Sequence, residues 1–266
     1  MTALLRNNVH VEGPTDGQPM LFAHGFGCDQ NMWRWVWPEF AADHRVVLFD
    51  HVGAGRSDHA AFSPDRYATL GGYAHDVVEI CQELELADVI FVGHSVSAMI
   101  GVLAAETAPG LFSRLVMIGP SPRYIDDESY VGGFADADIE ELLHSMDSNY
   151  LGWSAAMAPV IMGNGDRPEL GAELTESFCQ ADPAIARHFA RVTFTSDNRA
   201  DLPRVAVPSL VLQCSDDPIA PDSVGSYVAD RMPDATLVRL AATGHCPNLS
   251  APEETVAAIK RYLASP

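Results

Sequence analysis

Six short apolar runs recur along the chain, each separated from the next by segments rich in polar residues, glycine or proline. Within the runs, apolar residues occupy successive rather than alternate positions, which is typical of parallel strands covered on both faces. Helical patterns follow several runs, as over residues 73–86, so we expect an α/β fold, a mostly parallel sheet with helices on both faces. The runs begin at Pro19, Arg45, Val89, Arg114, Pro208 and Thr236.

The alternation of strand and helix patterns stops between the fourth and fifth runs. Helical periodicity replaces it, punctuated by glycine and proline; Asp182 and Pro183 form an N-cap and first-turn pair. We expect a core at residues 1–121 and 200–266 and a helical cap at 122–199, placed over the strand ends where α/β sheets bind ligands. The four expected cap helices span residues 136–150, 151–162, 168–180 and 183–194.

The composition limits the classes of function. The chain has 266 residues, of which 47% are hydrophobic, enough for the core of one α/β domain with an insertion. Its 16 Lys and Arg residues stand against 36 Asp and Glu, giving a formal net charge of −20. Such a charge repels polyanions and anionic lipid surfaces, so we expect neither nucleic acid nor a membrane as a partner.

Five cysteines are widely spaced and include no C-x-x-C pair. Their odd number and spacing indicate free thiols in a reducing compartment. The N-terminal segment lacks the apolar region of a signal peptide, and no apolar run approaches the about 18 residues that span a bilayer. We therefore expect a cytoplasmic protein. The cysteines are Cys28, Cys81, Cys179, Cys214 and Cys246.

The third run ends in Gly93-His94-Ser95-Val96-Ser97 and passes directly into a helical pattern. This segment matches G-x-S-x-G, the sharp strand-to-helix turn that presents a nucleophilic serine, at all but its last position. Ser97 stands where glycine is usual, and because serine is also small we expect an adjusted turn rather than a lost one. An ordinary strand-to-helix turn is the alternative interpretation.

Two later residues complete the set that a serine nucleophile needs. Asp217 follows the fifth run and precedes Pro221, where we expect the next helix to open, and His245 follows a glycine in a later loop. The chain order Ser, Asp, His is that of α/β-hydrolases. Asp216 is the alternative acid, but a solvated turn or capping residue is the simpler interpretation of it.

The three residue types have separate roles in this chemistry. His245 would accept the proton of Ser95, and Asp217 would fix the imidazole tautomer and stabilise the imidazolium. The oxyanion would need two backbone N–H donors, which we assign to Val96 and to Phe26 in the loop after the first run. The histidines form no spaced set with carboxylates, so we expect no metal, and no other cofactor is indicated.

Blocks along almost the whole chain resemble the RsbQ-like branch of the α/β-hydrolases, which includes bacterial RsbQ and the plant karrikin and strigolactone receptors. They include "HGFGCDQNMWRWVWPEF", "GHSVSAMIG", "YVGGF" and "GHCPNLSAPEE". The resemblance implies an α/β-hydrolase fold with an inserted V-shaped cap of four helices above an apolar cavity, whose floor carries the Ser–His–Asp triad.

The resemblance also implies which residues line that cavity and what binds there. The implied ligand is a small apolar ester or butenolide-type lactone, and RsbQ acts with a partner phosphatase in a stress response, so a phosphatase-type protein partner is implied too. Packing within the cap is the alternative interpretation of the aromatic positions. The matching positions are Phe26, His94, Val96, Tyr124, Phe134, Leu142, Trp153, Met157, Phe194 and Ile219.

Two functions from different classes follow. The first is a serine hydrolase of small apolar esters or lactones. The second is a ligand-sensing signalling protein in which the triad reads the ligand and the cap changes affinity for a partner. A dehalogenase or cofactor-free haloperoxidase is a weaker third. Dehalogenases of this fold carry Asp at the elbow, where this chain has Ser95, and a bromination assay tests for the haloperoxidase.

Overall fold

A seven-stranded sheet forms the centre of the computed structural model, which describes residues 1–265. The strands are β1 His10–Glu12, β2 Gln18–Ala23, β3 His44–Leu48, β4 Val89–His94, β5 Phe112–Ile118, β6 Ser209–Asp216 and β7 Ala235–Thr243. Their order is β1-β3-β2-β4-β5-β6-β7, and every neighbouring pair is parallel except β1 with β3. The predicted α/β fold with a mostly parallel sheet is confirmed.

Both outer strands depart from the sequence pattern. β1 has only three residues, all exposed, and no apolar run marked it. The run that became β7 looked apolar on both faces, yet of its nine residues only Leu240 is buried. β7 has β6 as its single neighbour in the sheet, so helices and strands cover it less completely than they cover the central strands.

The central strands are buried on both faces, which explains their continuous apolar character. In β2, Met20 and Phe22 belong to the core on one face of the sheet, whereas Leu21 and Ala23 belong to the core on the other. Successive side chains of a strand point to opposite faces, so both sets must be apolar when helices cover both sides. The first of these cores continues into the helices between β5 and β6.

The helices agree closely with the periodicity of the sequence. In the insertion, Asn149 caps α5 by accepting a hydrogen bond from the Gly152 amide, so α4 ends and α5 begins slightly earlier than expected. Within residues 1–265, none of the helices is long and apolar enough to cross a membrane. The helices are α1 Ala3–Arg6, α2 Leu70–Glu83, α3 Val96–Thr107, α4 Asp136–Ser148, α5 Tyr150–Met162, α6 Pro168–Gln180, α7 Pro183–Phe194, α8 Asp222–Arg231, α9 Pro247–Ser250 and α10 Pro252–Leu263.

Candidate active site

Ser95 occupies the sharp turn between β4 and α3. Its backbone has φ 56° and ψ −123°, a region that residues with a side chain rarely adopt, and its amide donates to the Ile118 carbonyl of β5 at 2.8 Å. Val96 is the first residue of α3, and the first N–H groups of a helix have no acceptor within it. The turn therefore presents a hydroxyl beside an available backbone donor.

Ser95, His245 and Asp217 form one buried hydrogen-bonded chain. The Ser95 hydroxyl lies 2.7 Å from His245 Nε2, and His245 Nδ1 lies 2.8 and 3.0 Å from the two carboxylate oxygens of Asp217. Their exposed fractions are 6%, 4% and 6% respectively. With Nδ1 carrying the hydrogen that the carboxylate accepts, Nε2 is free to accept the proton of the serine hydroxyl.

The structure separates the two candidate acids. One oxygen of Asp217 accepts the amide hydrogens of Ile219 and Ala220 at 2.8 and 3.0 Å, which fixes the carboxylate in the turn after β6. Asp216 is exposed at the end of the strand, and the carboxylate that His245 contacts is that of Asp217. Pro221 is the residue before α8 rather than a residue of its first turn, so the helix begins one position later than expected.

Two backbone hydrogen bonds hold the loop that carries His245. The Gly244 amide donates to the Asp216 carbonyl at 2.7 Å, and the His245 amide donates to the Ile161 carbonyl in α5 at 2.9 Å. Gly244 has φ +79°, and a Cβ there would collide with the Met162 carbonyl oxygen. Glycine is therefore required for the loop to pass the end of α5, and that contact positions the imidazole.

His94 also holds the loop that carries His245. Its Nε2–H donates to the His245 carbonyl at 2.7 Å. Burial, together with the neighbouring His245, lowers the pKa of His94 to about 3, so its ring is neutral at pH 7. Gly25 lies so close to the ring that a Cβ there would be 2.5 Å from His94 Nδ1. His94, the residue before the nucleophile, thus joins the loop that carries His245 to the loop that carries Phe26.

Ser97, the residue that replaces glycine in the elbow motif, takes part in a buried polar network. Its hydroxyl donates to the His24 carbonyl and accepts from His51 Nε2 at 2.7 Å. His24 Nε2 in turn accepts the His51 amide hydrogen at 3.0 Å, and its Nδ1–H donates to the Gly25 carbonyl at 2.9 Å. Sequence reasoning missed His51, and no local motif marks it.

A cavity of about 30 Å³ lies directly above Ser95 and His245. Of the residues expected to line it, five do so: Phe26, His94, Tyr124, Phe194 and Ile219. Its other lining residues, which the sequence analysis did not name for the pocket, are Cys28, Ile161, Leu174, Phe178, Thr193 and Cys246.

Phe134, Leu142, Trp153 and Met157 do not line this cavity, contrary to the expectation from resemblance. Trp153 is stacked on Phe178 with an interplanar angle of 7° and a centroid distance of 5.6 Å, so it supports the lining from behind. The other three are partly buried and pack against the core around the cavity. Val96 likewise lies outside the lining, although its amide adjoins the nucleophile.

Aromatic rings narrow the cavity. The Phe26 ring lies within 6.2 Å, between centroids, of four others, those of Trp153, Phe178, Phe189 and Phe194. At about 30 Å³, the cavity is small beside ligand pockets, which commonly measure about 300–1,000 Å³. A substrate larger than this space would have to displace one or more of these rings at Ser95.

The cap helix α6 contacts the loop that carries Phe26. The Ser177 hydroxyl donates to the Gly27 carbonyl at 2.8 Å. Phe178 packs on Gly27 so closely that a Cβ at this position, where φ is +72°, would overlap the ring. A displacement of α6 would therefore act directly on the backbone next to Phe26.

Neither a metal nor a second nucleophile is indicated at the site. Across residues 1–265, no group of three or more His, Cys, Asp or Glu side chains is arranged to hold a metal ion. Burial raises the pKa of the Cys28 and Cys246 thiols beside the cavity, which disfavours the reactive thiolate. The nucleophilic group best placed for chemistry is the Ser95 hydroxyl.

The fold agrees with comparisons to known proteins. The chain belongs to the alpha/beta hydrolase family, whose model matches residues 20–259. The predicted class of enzyme is thereby confirmed.

Within this family, the chain is similar to several individual proteins. Strigolactone esterase D14 of Arabidopsis thaliana is 39% identical, with 96% of each chain covered. The Karrikin insensitive 2 receptor CA of Petunia hybrida is 38% identical, with 97% of this chain and 95% of the relative covered. The structure of olei00960, a hydrolase from Oleispira antarctica, superposes with a TM-score of 0.95 at 41% identity, covering 99% of this chain and 97% of that one.

Proposed function

We propose that this protein is a serine hydrolase of small apolar esters or butenolide-type lactones. The observation that carries the proposal is the buried chain from Ser95 through His245 to Asp217, with contacts of 2.7 and 2.8 Å, beneath an aromatic cavity. Relatives that are named as esterases, one of them a strigolactone esterase, support the substrate class.

In this mechanism, Ser95 Oγ attacks the carbonyl carbon while its proton passes to His245 Nε2. The amides of Phe26 and Val96 stabilise the oxyanion, each donor contributing about 3 kcal/mol to the transition state. The bond to the alcohol oxygen breaks, and the leaving alcohol takes the proton from His245. Water then loses a proton to His245 and attacks the acyl carbon. The bond to Ser95 Oγ breaks, Oγ takes the proton from His245, and the acid is released, while Asp217 stabilises the imidazolium in both halves.

The surroundings of the site favour small apolar substrates. Phenylalanine, tyrosine and isoleucine side chains contribute most of the cavity wall outside the triad, and no Lys or Arg lines it. A charged substrate would lose its hydration there without gaining a partner. The cap at 122–199, inserted into a core at 1–121 and 200–266, provides this apolar enclosure.

The test is intact-protein mass spectrometry and turnover with a fluorogenic butenolide and p-nitrophenyl acetate. Wild type should turn over at least one of them repeatedly, and Ser95→Ala or His245→Ala should reduce kcat by about 10⁴-fold or more. Asp216→Asn is the matched control, because Asp216 is exposed and outside the hydrogen-bonded chain. Wild-type protein that neither turns over these esters nor reacts with a serine-directed phosphonate would overturn the proposal.

A ligand-sensing role is the second candidate, and the small cavity favours it. A ligand that enlarges the cavity would displace rings that contact α6, and α6 contacts the loop carrying Phe26, so binding would alter the cap surface. The receptor names of several relatives point the same way. An adduct that forms once and persists, particularly on His245, would support this role over turnover. The RsbQ-like assignment and a phosphatase-type partner belong to this second proposal.

We place the protein in the cytoplasm. The five cysteines are free thiols in the structure, which suits a reducing compartment. Fractionation of the native host, followed by detection of the protein, tests this placement.

A further inference from the structure

Thr193 places a polar group without a partner against the cavity. It belongs to α7, its exposed fraction is 1%, and it lines the cavity between the cap and Ser95. Among the described residues, its hydroxyl has no hydrogen-bond partner. The other such buried polar atom in the lining is Nδ1 of His94, which the backbone of Gly25 faces closely. Thr193 is therefore the unsatisfied side chain on the cap side.

The missing partner of Thr193 is unusual for a helical hydroxyl in this chain. A threonine in a helix has two accessible rotamers, one of which lets its hydroxyl donate to the carbonyl four residues earlier. Thr193 does not donate to the Phe189 carbonyl. Five other hydroxyls do make the corresponding bond at 2.7 to 3.0 Å: Thr107, Ser154, Thr175, Thr195 and Thr255.

A buried hydroxyl without a partner destabilises the folded protein, and buried polar groups are nearly always hydrogen-bonded. The neighbouring Phe26 and Phe194 make this part of the wall apolar, and the Tyr124 hydroxyl, the other hydroxyl that the cap contributes to the lining, faces Ser95. An isosteric valine would fit such a wall better than threonine unless a bound molecule supplies the missing partner.

We propose that the Thr193 hydroxyl determines substrate specificity by hydrogen bonding to an oxygen of the bound ester or lactone other than the carbonyl oxygen under attack. The inference rests on the proposed hydrolase function and deepens it. It defines the substrate class as esters and lactones that carry an additional ether-type oxygen within an otherwise apolar group. An apolar site with few fixed polar partners discriminates against analogues that lack the matching atom.

The test compares substrate pairs in which one CH₂ group replaces one oxygen. p-Nitrophenyl methoxyacetate and p-nitrophenyl butyrate differ in this way in the acyl part, and 2-methoxyethyl acetate and butyl acetate differ in the alcohol part. For each pair, the ratio of kcat/KM is measured in wild type, Thr193→Val and Thr193→Ser. The intrinsic reactivity of the esters is the same for all three proteins, so it cancels when their ratios are compared.

We expect Thr193→Val to lower the preference for the oxygen-containing member of at least one pair by about fivefold, the effect of one ordinary hydrogen bond. Thr193→Ser, which keeps the hydroxyl, should retain most of the preference. Hydrolysis of both pairs with ratios unchanged in Thr193→Val would overturn the inference and leave the hydrolase standing. Absence of hydrolysis of every ester by wild type would overturn the proposed function, and this inference with it.

Discussion

His51 Nε2 lies 2.7 Å from the hydroxyl of Ser97, and the two side chains meet in the fully buried space behind the loop that carries Phe26. The Ser97 hydroxyl donates a hydrogen bond to the His24 carbonyl. One hydroxyl thus joins the loop after β2, the loop after β3 and the first turn of α3. Ser97 therefore has a different role from the glycine usual at this position, since the polar side chain holds three segments together.

Replacing Ser97 should impair catalysis more than binding. Ser97→Ala leaves the His24 carbonyl and His51 Nε2 without their shared partner, so the loop that carries Phe26 should lose its alignment with the oxyanion. We expect kcat for p-nitrophenyl acetate to fall about tenfold, with KM changed less than threefold. Steady-state kinetics on protein shown to be folded by circular dichroism provide the measurement.

The control for this variant is Ser154→Ala. Ser154 is also fully buried, but its hydroxyl donates within α5, to the Tyr150 carbonyl, and not to the loop that carries Phe26. The Ser154→Ala variant should be less stable than wild type but should keep the wild-type kcat. Equal kinetic losses in the two variants would show that Ser97 has no special role in positioning the loop.

His94 should make the stability of the protein depend on pH. Its pKa is about 3 when folded, because of burial and then the nearby His245, whereas an unfolded histidine titrates near 6.5. Between these values the unfolded chain binds a proton that the folded protein does not, so the free energy of unfolding falls as pH falls below about 6.5. Besides His245, the titratable groups facing His94 are Asp217 and His24.

Urea unfolding at about pH 7.5 and about pH 5.5 measures this linkage. Wild type should lose about 1.4 kcal/mol more between these values than His94→Asn does. His10→Asn, at an exposed position, should retain the wild-type pH dependence. A wild-type difference that His94→Asn leaves intact would place the pH dependence in other groups.

Local sequence signals explain which parts of the molecule could be predicted. The elbow, the six strands marked by apolar runs and the cap helices depend on motifs, apolar runs and first-turn prolines, each of which lies within a few residues. The chain order of Ser95, Asp217 and His245 was enough to predict the proximity that the structure shows.

Contacts formed by the tertiary fold could not be predicted in this way. His51 meets Ser97 because β3 and β4 end on the same side of the sheet, although 46 residues separate them. Helical periodicity indicates that Trp153 and Phe178 are both buried, but it does not say which ring faces a cavity and which packs behind it. β1 is too short and exposed to form a pattern.

Thiol labelling should report whether the cavity opens in solution. At about pH 8, maleimide should label one thiol per native chain, the exposed Cys179, and all five cysteines after denaturation. Cys179→Ser should remove the native label. Fast native labelling of Cys28 or Cys246 would contradict the prediction and indicate that the cavity opens readily. Burial raises the pKa of the other four thiols, Cys28, Cys81, Cys214 and Cys246, which keeps them protonated.

Phe178 should limit the size of the acyl group that the site accepts. Its ring lines the cavity while stacking on Trp153 and packing against Gly27, so Phe178→Leu should make room for a longer acyl chain. Each additional buried methylene contributes about 0.8 kcal/mol, equivalent to about a fourfold rise in kcat/KM. We therefore expect the ratio of kcat/KM for p-nitrophenyl butyrate to that for the acetate to rise at least fourfold. Because Phe178 also supports the loop next to Phe26, both esters share any general loss of activity, and the ratio isolates the effect of cavity size.

Phe112→Leu is the matched control for this change. Phe112 is buried and packs against Phe91 in the core on the other face of the sheet, away from the cavity. The control should lose stability through its own packing defect while keeping the wild-type acyl preference. A rise in the ratio in both variants would indicate general loosening of the protein. An unchanged ratio in Phe178→Leu would mean that the acyl group occupies a part of the site that this ring does not limit.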